Sequence, residues 1–310
     1  MQHFSDEAIQ EVYKMSDAVR DIRELLIDLN NDQIINEERT VIQVPGTDNT
    51  VLYMPCINIH NKYSILKTIS IFPDNINIPV SQGITLLTEL ENGEHIATLE
   101  SSYLTRLRTG AMSALATDHL AAEKAASLAI IGTGGMAYEQ ALGVLAVREI
   151  KNIYLYNRTS VKAELFKASL EQSTQAAITI CQTSSEAVKH ADIINCATRS
   201  NEPVFHHEDI KSEVHINGVG SYLPSMREID IQTIQAADTI VMDDKEGAMQ
   251  EAGEFIEAEK QGLFDFGQIL LLKDIAISQS NKKGITIFKS VGAAYYDLAV
   301  TVGAYQKLKS

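Results

Sequence analysis

The chain has 310 residues, of which 45% are hydrophobic and 22% charged, with 26 Lys and Arg against 41 Asp and Glu. This composition is typical of a soluble globular protein of about two domains, and the net charge of −15 without a basic tract argues against a nucleic-acid partner. The first residues lack the basic and apolar regions of a signal peptide, and no run of 18 apolar residues occurs. We therefore expect a cytoplasmic protein without membrane contact.

The first 100 residues are predicted to form helices followed by a mostly antiparallel sheet. Apolar residues recur at helical spacing from Ala18 to Leu29, behind the candidate N-cap residues Ser16 and Asp17. Turn signals such as Pro45-Gly46 and Asn92-Gly93-Glu94 then separate short runs rich in β-branched residues. These runs predict strands over 39–44, 51–59, 64–71 and 84–89.

A long helix is predicted over 101–122, and strands alternate with helices from Ser127 onward, before a last helix over 293–308. Near-continuous apolar strands joined by helices indicate a parallel sheet that is buried on both faces. The predicted fold class is α/β, with a Rossmann-type doubly wound parallel sheet inserted in a smaller α+β domain. The sheet domain is predicted for 118–292, and the smaller substrate-binding and dimerisation domain for 1–117 plus 293–310. The predicted strands of the sheet span 128–132, 152–157, 177–181, 192–198, 213–220, 239–243 and 285–292.

The sequence Gly132-Thr133-Gly134-Gly135-Met136-Ala137 follows the first of these strands directly and opens a helix. A GxGxxA pattern in this context is typical of a dinucleotide-binding turn, where amides at the helix start meet the pyrophosphate. Gly132 would make the tight turn, Gly134 would let the pyrophosphate approach, and Ala137 would let the helix pack on the strand. A glycine-rich turn without a ligand is the alternative. The predicted dinucleotide contacts are Gly132, Gly134, Gly135, Met136 and Ala137.

The second strand of the sheet is predicted to end at Asn157-Arg158-Thr159. An NAD site usually carries an acidic residue there, which holds the ribose 2′-hydroxyl. A neutral amide, a cation and a hydroxyl suit a 2′-phosphate instead. We therefore predict that these three residues contact NADP(H), which is preferred over NAD(H).

The segment Tyr103-Leu104-Thr105-Arg106-Leu107-Arg108-Thr109-Gly110-Ala111, followed by the GxGxxA turn, resembles the ornithine cyclodeaminase/mu-crystallin family. The resemblance covers nearly the whole chain and continues in NGVGSYLP (217–224), REID (227–230) and FKSVG (288–292). It implies a homodimer, and it implies that Arg39, Lys67 and Arg108 surround the carboxylate of a small imino or amino acid. Charge-assisted donors of this kind suit a carboxylate in a partly closed cleft.

The resemblance also implies further contacts in both parts of the site. On the substrate side these are Gln82 and Val291. On the nucleotide side they are Arg108, Thr109, Ala197, Thr198, Val219, Gly220 and Ser290.

One difference from the family bears on the reaction. Deaminating members carry an Asp in the turn after the Val-Gly strand, whereas Tyr222 occupies that position here. Cyclodeamination needs a general acid or base, so the turn is more similar to the ketimine and Δ1-pyrroline-2-carboxylate reductase branch. We predict NAD(P)H-dependent reduction of Δ1-pyrroline-2-carboxylate or Δ1-piperideine-2-carboxylate to L-proline or L-pipecolate. Lys67 is the predicted donor of the nitrogen proton, with Ser221 or a water as the alternative.

Two other hypotheses stay open at this point: an alanine or opine-type dehydrogenase acting on an acyclic imine, and an NADPH-binding protein of crystallin type with little turnover. No metal site is predicted, because His206-His207 has no matching second cluster and the three cysteines lack a ligand spacing. Ten of the acidic residues lie in 5–38 and ten more in 228–259. We interpret both segments as solvated faces, which leave near-neutral surroundings for two small anions.

Overall fold

The computed structural model describes residues 1–276 and 283–309. It divides into two compact units, Met1–Arg108 with Ala293–Ser310, and Thr109–Gly292. This division and the predicted boundary at 117 fall in the same helix, Ser102–Leu120. Residue 310, the last of the predicted first domain, lies outside the described residues.

The helices and strands of the described residues are as follows in chain order. The helices are α1 (Asp6–Val12), α2 (Met15–Asn30), α3 (Ser102–Leu120), α4 (Ala137–Val147), α5 (Ser160–Leu170), α6 (Ser184–Val188), α7 (Ile231–Ala236), α8 (Lys245–Glu251), α9 (Gly253–Lys260), α10 (Leu272–Ile275) and α11 (Ala294–Lys309). The strands are β1 (Gln2–Phe4), β2 (Ile34–Asn36), β3 (Thr40–Gln43), β4 (Thr50–Asn58), β5 (Tyr63–Ile71), β6 (Ser81–Glu89), β7 (His95–Glu100), β8 (Ser127–Ile131), β9 (Asn152–Tyr156), β10 (Ala177–Ile180), β11 (Ile193–Cys196), β12 (Val214–Gly218), β13 (Thr239–Met242), β14 (Leu270–Leu271) and β15 (Ile285–Lys289).

The sheet of the first unit has the order β1-β7-β6-β5-β4-β2, with β3 also paired to β4. All pairs are antiparallel except β1 with β7. The four predicted strands are therefore present, and the structure adds β1, β2 and β7. Strands of three residues such as β1 and β2 are too short for an alternating pattern to show in the sequence.

Helices α2 and α11 lie side by side in the first unit. A Cβ atom on Gly303 would lie 1.8 Å from Asp21 Oδ2, so any other residue at this crossing would have to displace the Asp21 carboxylate. Tyr13 donates a hydrogen bond to the same carboxylate. Helix α2 begins two or three residues earlier than the predicted caps imply. Its N-cap is Lys14, whose backbone amide donates a hydrogen bond to Asp17.

The sheet of the second unit is entirely parallel, with the order β10-β9-β8-β11-β12-β15-β13-β14. The predicted α/β fold class is confirmed. Successive strands run outward from β8 to β10 and then restart at β11 on the other side of β8. A reversal of strand order of this kind opens a crevice at the carboxyl ends of the strands, where such sheets bind their ligands.

We predicted that the acid-rich segment 228–259 is a solvated face, and this prediction is wrong for several of its acidic residues. Asp230 and Asp244 cap α7 and α8 by accepting hydrogen bonds from backbone amides. Glu228, Asp243 and Glu254 are buried. Five of the ten acidic residues of this segment therefore start helices or lie in the interior of the second unit.

None of the helices in residues 1–276 and 283–309 combines the length and the apolar character that crossing a bilayer requires.

Candidate active site

The first unit contains a buried cluster of charged side chains, which we call the Lys67 cluster: Lys67, Arg108 and Asp297. Lys67 points from the middle of β5 and is only 1% exposed. Its Nζ donates to Asp297 Oδ1 at 2.7 Å and to Thr105 Oγ1 at 2.6 Å. Arg108 Nε lies 3.4 Å from the same Asp297 oxygen. A strand and two helices thus bring two cations to one carboxylate.

The charges of the Lys67 cluster act on one another. Burial is the largest influence on Lys67 and lowers its pKa, and Arg108 and Arg39 act in the same direction. Asp297 opposes them. Burial alone would raise the pKa of Asp297, but Lys67, Arg108 and Arg39 outweigh it and lower that pKa. The carboxylate of Asp297 therefore stays ionised beside the two cations of the Lys67 cluster and Arg39, and the net charge of the cluster is positive.

The family resemblance implies that Arg39, Lys67 and Arg108 lie near one another. Arg39 is near enough for its charge to lower the pKa of both Lys67 and Asp297, so the structure brings the three cations together. Sequence reasoning missed Asp297. It is the only acidic residue of α11, and a lone acid in a helix that is mostly apolar before its last turn was the available signal. Asp297 Oδ2 is buried, and no group in residues 1–276 and 283–309 donates a hydrogen bond to it.

Gln82 does not join the Lys67 cluster. In the β5–β6 register Lys67 pairs with Thr85 and Gln82 pairs with Ser70. Side chains alternate between the faces of a strand, so Gln82 lies on the face opposite to Lys67. A shift of one residue along a strand moves a side chain to the other face of the sheet, so the sequence alone could not locate a substrate contact in β6. Ser81, the neighbour of Gln82, lies on the same face as Lys67.

The predicted dinucleotide turn in the second unit connects β8 to α4. Gly132 has a φ of +89°, and a Cβ atom there would lie 2.7 Å from Thr198 Cγ2 and 2.8 Å from the backbone oxygen of Ala197. By contrast, a Cβ atom on Gly134 or Gly135 would meet nothing within 4 Å. The first glycine is needed for packing, and the next two leave open space at the start of α4. The turn therefore fits a pyrophosphate, as its position beside the reversal of strand order requires.

The residues after β9 divide into two groups. Asn157 accepts a hydrogen bond from the backbone amide of Thr133 and donates one to the backbone oxygen of Thr159. Its side chain therefore ties the dinucleotide turn to the end of β9, and its contact with a 2′-phosphate stays a prediction. Arg158 and Thr159 are exposed.

The turns after β11 and β12 are joined by one carboxylate. Glu228 is fully buried. Its Oε1 accepts from the backbone amide and the hydroxyl of Thr198, at 2.6 and 2.7 Å. Its Oε2 accepts from the amides of Gly220 and Ser221, at 2.6 and 3.1 Å. Ala197, Thr198, Val219 and Gly220, the predicted nucleotide contacts of this region, thus belong to two turns with a shared support.

Ser221 is buried and its hydroxyl is fully used within the second unit. It donates to Glu254 at 2.8 Å and accepts from Lys289 Nζ, which also donates to the Ser221 backbone oxygen at 2.6 Å. Lys289 lies 3.3 Å from Glu254. A hydroxyl held in this way between a lysine and a carboxylate is poorly suited to protonate a substrate, so Ser221 is better explained as part of the support of its turn.

The turn after β15 is held by Asp243. This carboxylate accepts hydrogen bonds from the Ser290 hydroxyl and from the amides of Val291 and Gly292, at 2.7 to 3.2 Å. Ser290 and Val291 are both buried in the second unit. Thr109, the remaining predicted contact, is buried in α3. Met136 is the N-cap residue of α4.

Within the described residues there is no group of three or more His, Cys, Asp or Glu side chains arranged to hold a metal ion. His206 and His207 lie at a short 3₁₀ turn, where their backbone amides donate to Asp209 and Asp230.

Comparison with known proteins gives a consistent result. Residues 3–310 match the model of the ornithine cyclodeaminase/mu-crystallin family. The chain is 38% identical over 285 residues to a Δ1-pyrroline-2-carboxylate reductase of Bacillus thuringiensis, covering 87% of each chain. It is 28% identical over 279 residues to the ketimine reductase mu-crystallin of Rattus norvegicus, covering 89% of this chain and 86% of that protein.

A solved structure also superposes on nearly the whole chain. The Δ1-pyrroline-2-carboxylate reductase of Thermococcus litoralis, in complex with NADH and L-proline, has a TM-score of 0.94 and 30% identity. The match covers 99% of this chain and 97% of the other.

Proposed function

The chain belongs to the ornithine cyclodeaminase/mu-crystallin family, and on this premise we propose that it is an NAD(P)H-dependent oxidoreductase that reduces the C=N bond of a small cyclic imino acid. Δ1-Pyrroline-2-carboxylate and Δ1-piperideine-2-carboxylate are the proposed substrates, and L-proline and L-pipecolate the products. The observation that carries the proposal is the Lys67 cluster, which combines a net positive charge with a buried lysine. The identity to Δ1-pyrroline-2-carboxylate reductases supports it.

The residues of the chain have separate tasks in this reaction. Arg39 and Arg108 bind the substrate carboxylate, since a guanidinium matches its two oxygens. Lys67 holds a proton at Nζ for the nitrogen of the reduced product, and burial lowers its pKa toward the range in which a lysine can give up that proton. The dinucleotide turn and the turns after β11, β12 and β15 orient the nucleotide, whose reduced nicotinamide supplies the hydride when bound.

Ornithine cyclodeamination is not supported by the turn after β12. Residues 219–226 contain no Asp or Glu. The nearest carboxylate in sequence, Glu228, already accepts four hydrogen bonds from Thr198, Gly220 and Ser221. The turn therefore offers no available base for loss of an amine.

A substrate panel tests the proposal. The purified protein is mixed with NADPH or NADH and each of four partners: the two cyclic imino acids, pyruvate with ammonia, and pyruvate with an amino acid. We expect the largest kcat/KM with a cyclic imino acid. A larger value with pyruvate and ammonia would indicate an alanine dehydrogenase, and with pyruvate and an amino acid an opine-type enzyme. Nucleotide binding without oxidation would indicate a crystallin-type protein.

We also propose that NADPH is preferred over NADH, because Arg158 and Thr159 are exposed after β9 and no acid occupies that position. Replacing Arg158 by alanine removes a charge-assisted contact to the 2′-phosphate. KM for NADPH is then expected to rise about tenfold or more, whereas KM for NADH stays within about twofold. Lys167→Ala, on the last turn of α5 and paired with Glu171, is the matched control. A wild-type protein with the lower KM for NADH contradicts the assignment.

We propose further that two copies associate through the outer face of the first sheet. Asp297 of α11 reaches Lys67 from one face of the sheet. Residues on the opposite face include apolar side chains that are 37–53% exposed: Ile42, Tyr53, Leu66 and Ile84. A second copy that contributes the same face would cover these apolar side chains in a two-fold dimer. The resemblance to a dimeric family supports this occupant.

Leu66→Glu tests this interface. A carboxylate in the middle of an apolar interface is costly to bury, so the variant is expected to have half the mass of the wild type in light scattering. Val161→Glu, which changes an exposed apolar residue of α5 in the second unit, should leave the mass unchanged. A monomeric wild type, or a Leu66→Glu protein of wild-type mass, would refute the interface.

A further inference from the structure

The turns after β11 and β12 depend on a single buried acid. Each oxygen of Glu228 serves one turn, with Oε1 bound to Thr198 and Oε2 bound to Gly220 and Ser221. Three of the four donors are backbone amides at the carboxyl ends of adjacent parallel strands. The carboxylate therefore fixes how far apart the two turns lie.

The backbones of the turns after β11 and β12 also pack closely against each other at Gly220 and Thr198. A Cβ atom on Gly220 would lie 2.2 and 2.3 Å from the backbone oxygen and nitrogen of Thr198, and 2.6 Å from Glu228 Oε1. Glycine therefore allows the close approach, and Glu228 accepts the amide hydrogens that this approach buries. Without an acceptor those amides would be buried and unpaired, which is unfavourable.

A buried lysine accompanies this carboxylate. Burial raises the pKa of Glu228, and the charge of Lys289 opposes that rise. Lys289 in turn contacts Ser221 and Glu254, so strand β15 is connected to the turn after β12. These side chains form a fixed polar support beneath the turns and have no access to solvent.

We propose that Glu228 is a positioning residue that sets the turns after β11 and β12 for the nicotinamide half of the dinucleotide. This inference rests on the proposed function. The GxGxxA turn and the end of β9 lie on one side of the reversal of strand order, where the adenosine half binds, and the two turns held by Glu228 lie on the other side. Loss of Glu228 should therefore weaken binding of the nicotinamide half of the dinucleotide and leave binding of the adenosine half unchanged.

The test compares whole dinucleotides with fragments that lack nicotinamide. In Glu228→Gln the amide can accept at only one atom, so one turn loses its acceptor. We expect the Kd values for NADPH and NADH to rise about tenfold or more, and kcat to fall, while those for 2′-phospho-ADP-ribose and ADP-ribose stay within about twofold. Calorimetric titration of the full-length chain measures all four.

Asp192→Asn is the matched control. Asp192 accepts hydrogen bonds from the amides of Ala126 and Ser127 and from the Ser127 hydroxyl, at the amino-terminal ends of β8 and β11 and thus away from the two turns. The control variant should lose stability without changing the affinity for dinucleotides or fragments. If Glu228→Gln does not fold, Glu228→Asp keeps the charge but shortens the reach, and the same selective loss is expected.

Three outcomes overturn the inference. Wild-type affinity for NADPH and NADH in both Glu228 variants shows that the turns do not need the carboxylate. An equal loss for dinucleotides and fragments shows that Glu228 only supports the fold. A wild-type chain that binds neither dinucleotide refutes the proposed function as well, whereas a wild type that binds both and turns over another imine leaves this inference standing.

Discussion

Replacing Lys67 by methionine is expected to lower kcat on the cyclic imino acid by about 100- to 10 000-fold, the range that a positioned general acid contributes. Methionine keeps an unbranched chain of similar length in the buried position on β5 but has no proton to give. Asp297 keeps Arg108 as a cationic neighbour, at 3.4 Å. The affinity for NADPH should change by less than about twofold, because the residues assigned to the nucleotide turns lie in the second unit.

Two further variants separate the proton from the charge. Lys67→Arg retains a cation for the substrate carboxylate, but arginine does not release a proton at usable pH, so KM should recover more than kcat. Lys307→Met removes a lysine of the same unit that pairs with Asp17 at 2.9 Å, and should leave kcat unchanged. Near wild-type kcat in Lys67→Met would show that the proton comes from elsewhere. Thermal unfolding of each variant distinguishes a lost proton donor from a lost fold.

The regular part of the fold could be predicted from the sequence because its signals are local. The strands of the second sheet are continuous apolar runs, and the GxGxxA turn identifies β8 and α4. Helices α7, α8 and α9 were not predicted, since each is eight residues or shorter and begins within the acid-rich segment 228–259, which suggested a solvated face. Their caps and buried carboxylates depend on tertiary contacts that no short window contains.

The candidate site shows the same limit. The resemblance implied Arg39, Lys67 and Arg108, but the partner of Lys67 is 230 residues away in the chain, and no spacing rule connects them. Glu228 and Lys289 stand in motifs that were recognised, yet only the structure shows that they face Ser221 and the turns. Gln82, a predicted substrate contact, lies on the face of its strand opposite to Lys67, and a strand reverses its faces at every residue.

Asp297→Asn is expected to move the alkaline limb of the kcat/KM profile to lower pH. Among the charged groups that influence Lys67, which are Asp297, Arg108 and Arg39, only Asp297 raises the pKa of the lysine. Cys56, which packs near Asp297, has its pKa raised to about 12 by burial, so its thiol stays neutral over the range of the assay. Removing the carboxylate therefore leaves burial and two cations, all of which lower the pKa of Lys67.

The sign of the effect follows from the role of the proton. Lys67 acts in its protonated form, and that form is lost as the pH rises through the pKa of the lysine. A lower pKa removes it at a lower pH, so the variant should retain more of the wild-type kcat/KM at pH 6 than at pH 9. Profiles of kcat/KM between pH 6 and pH 10 measure this, with Asp17→Asn, which removes the partner of Lys307, as the control. An equal loss at every pH would mean that Asp297 only holds the helix against the sheet, because a structural role lowers activity without moving the limb.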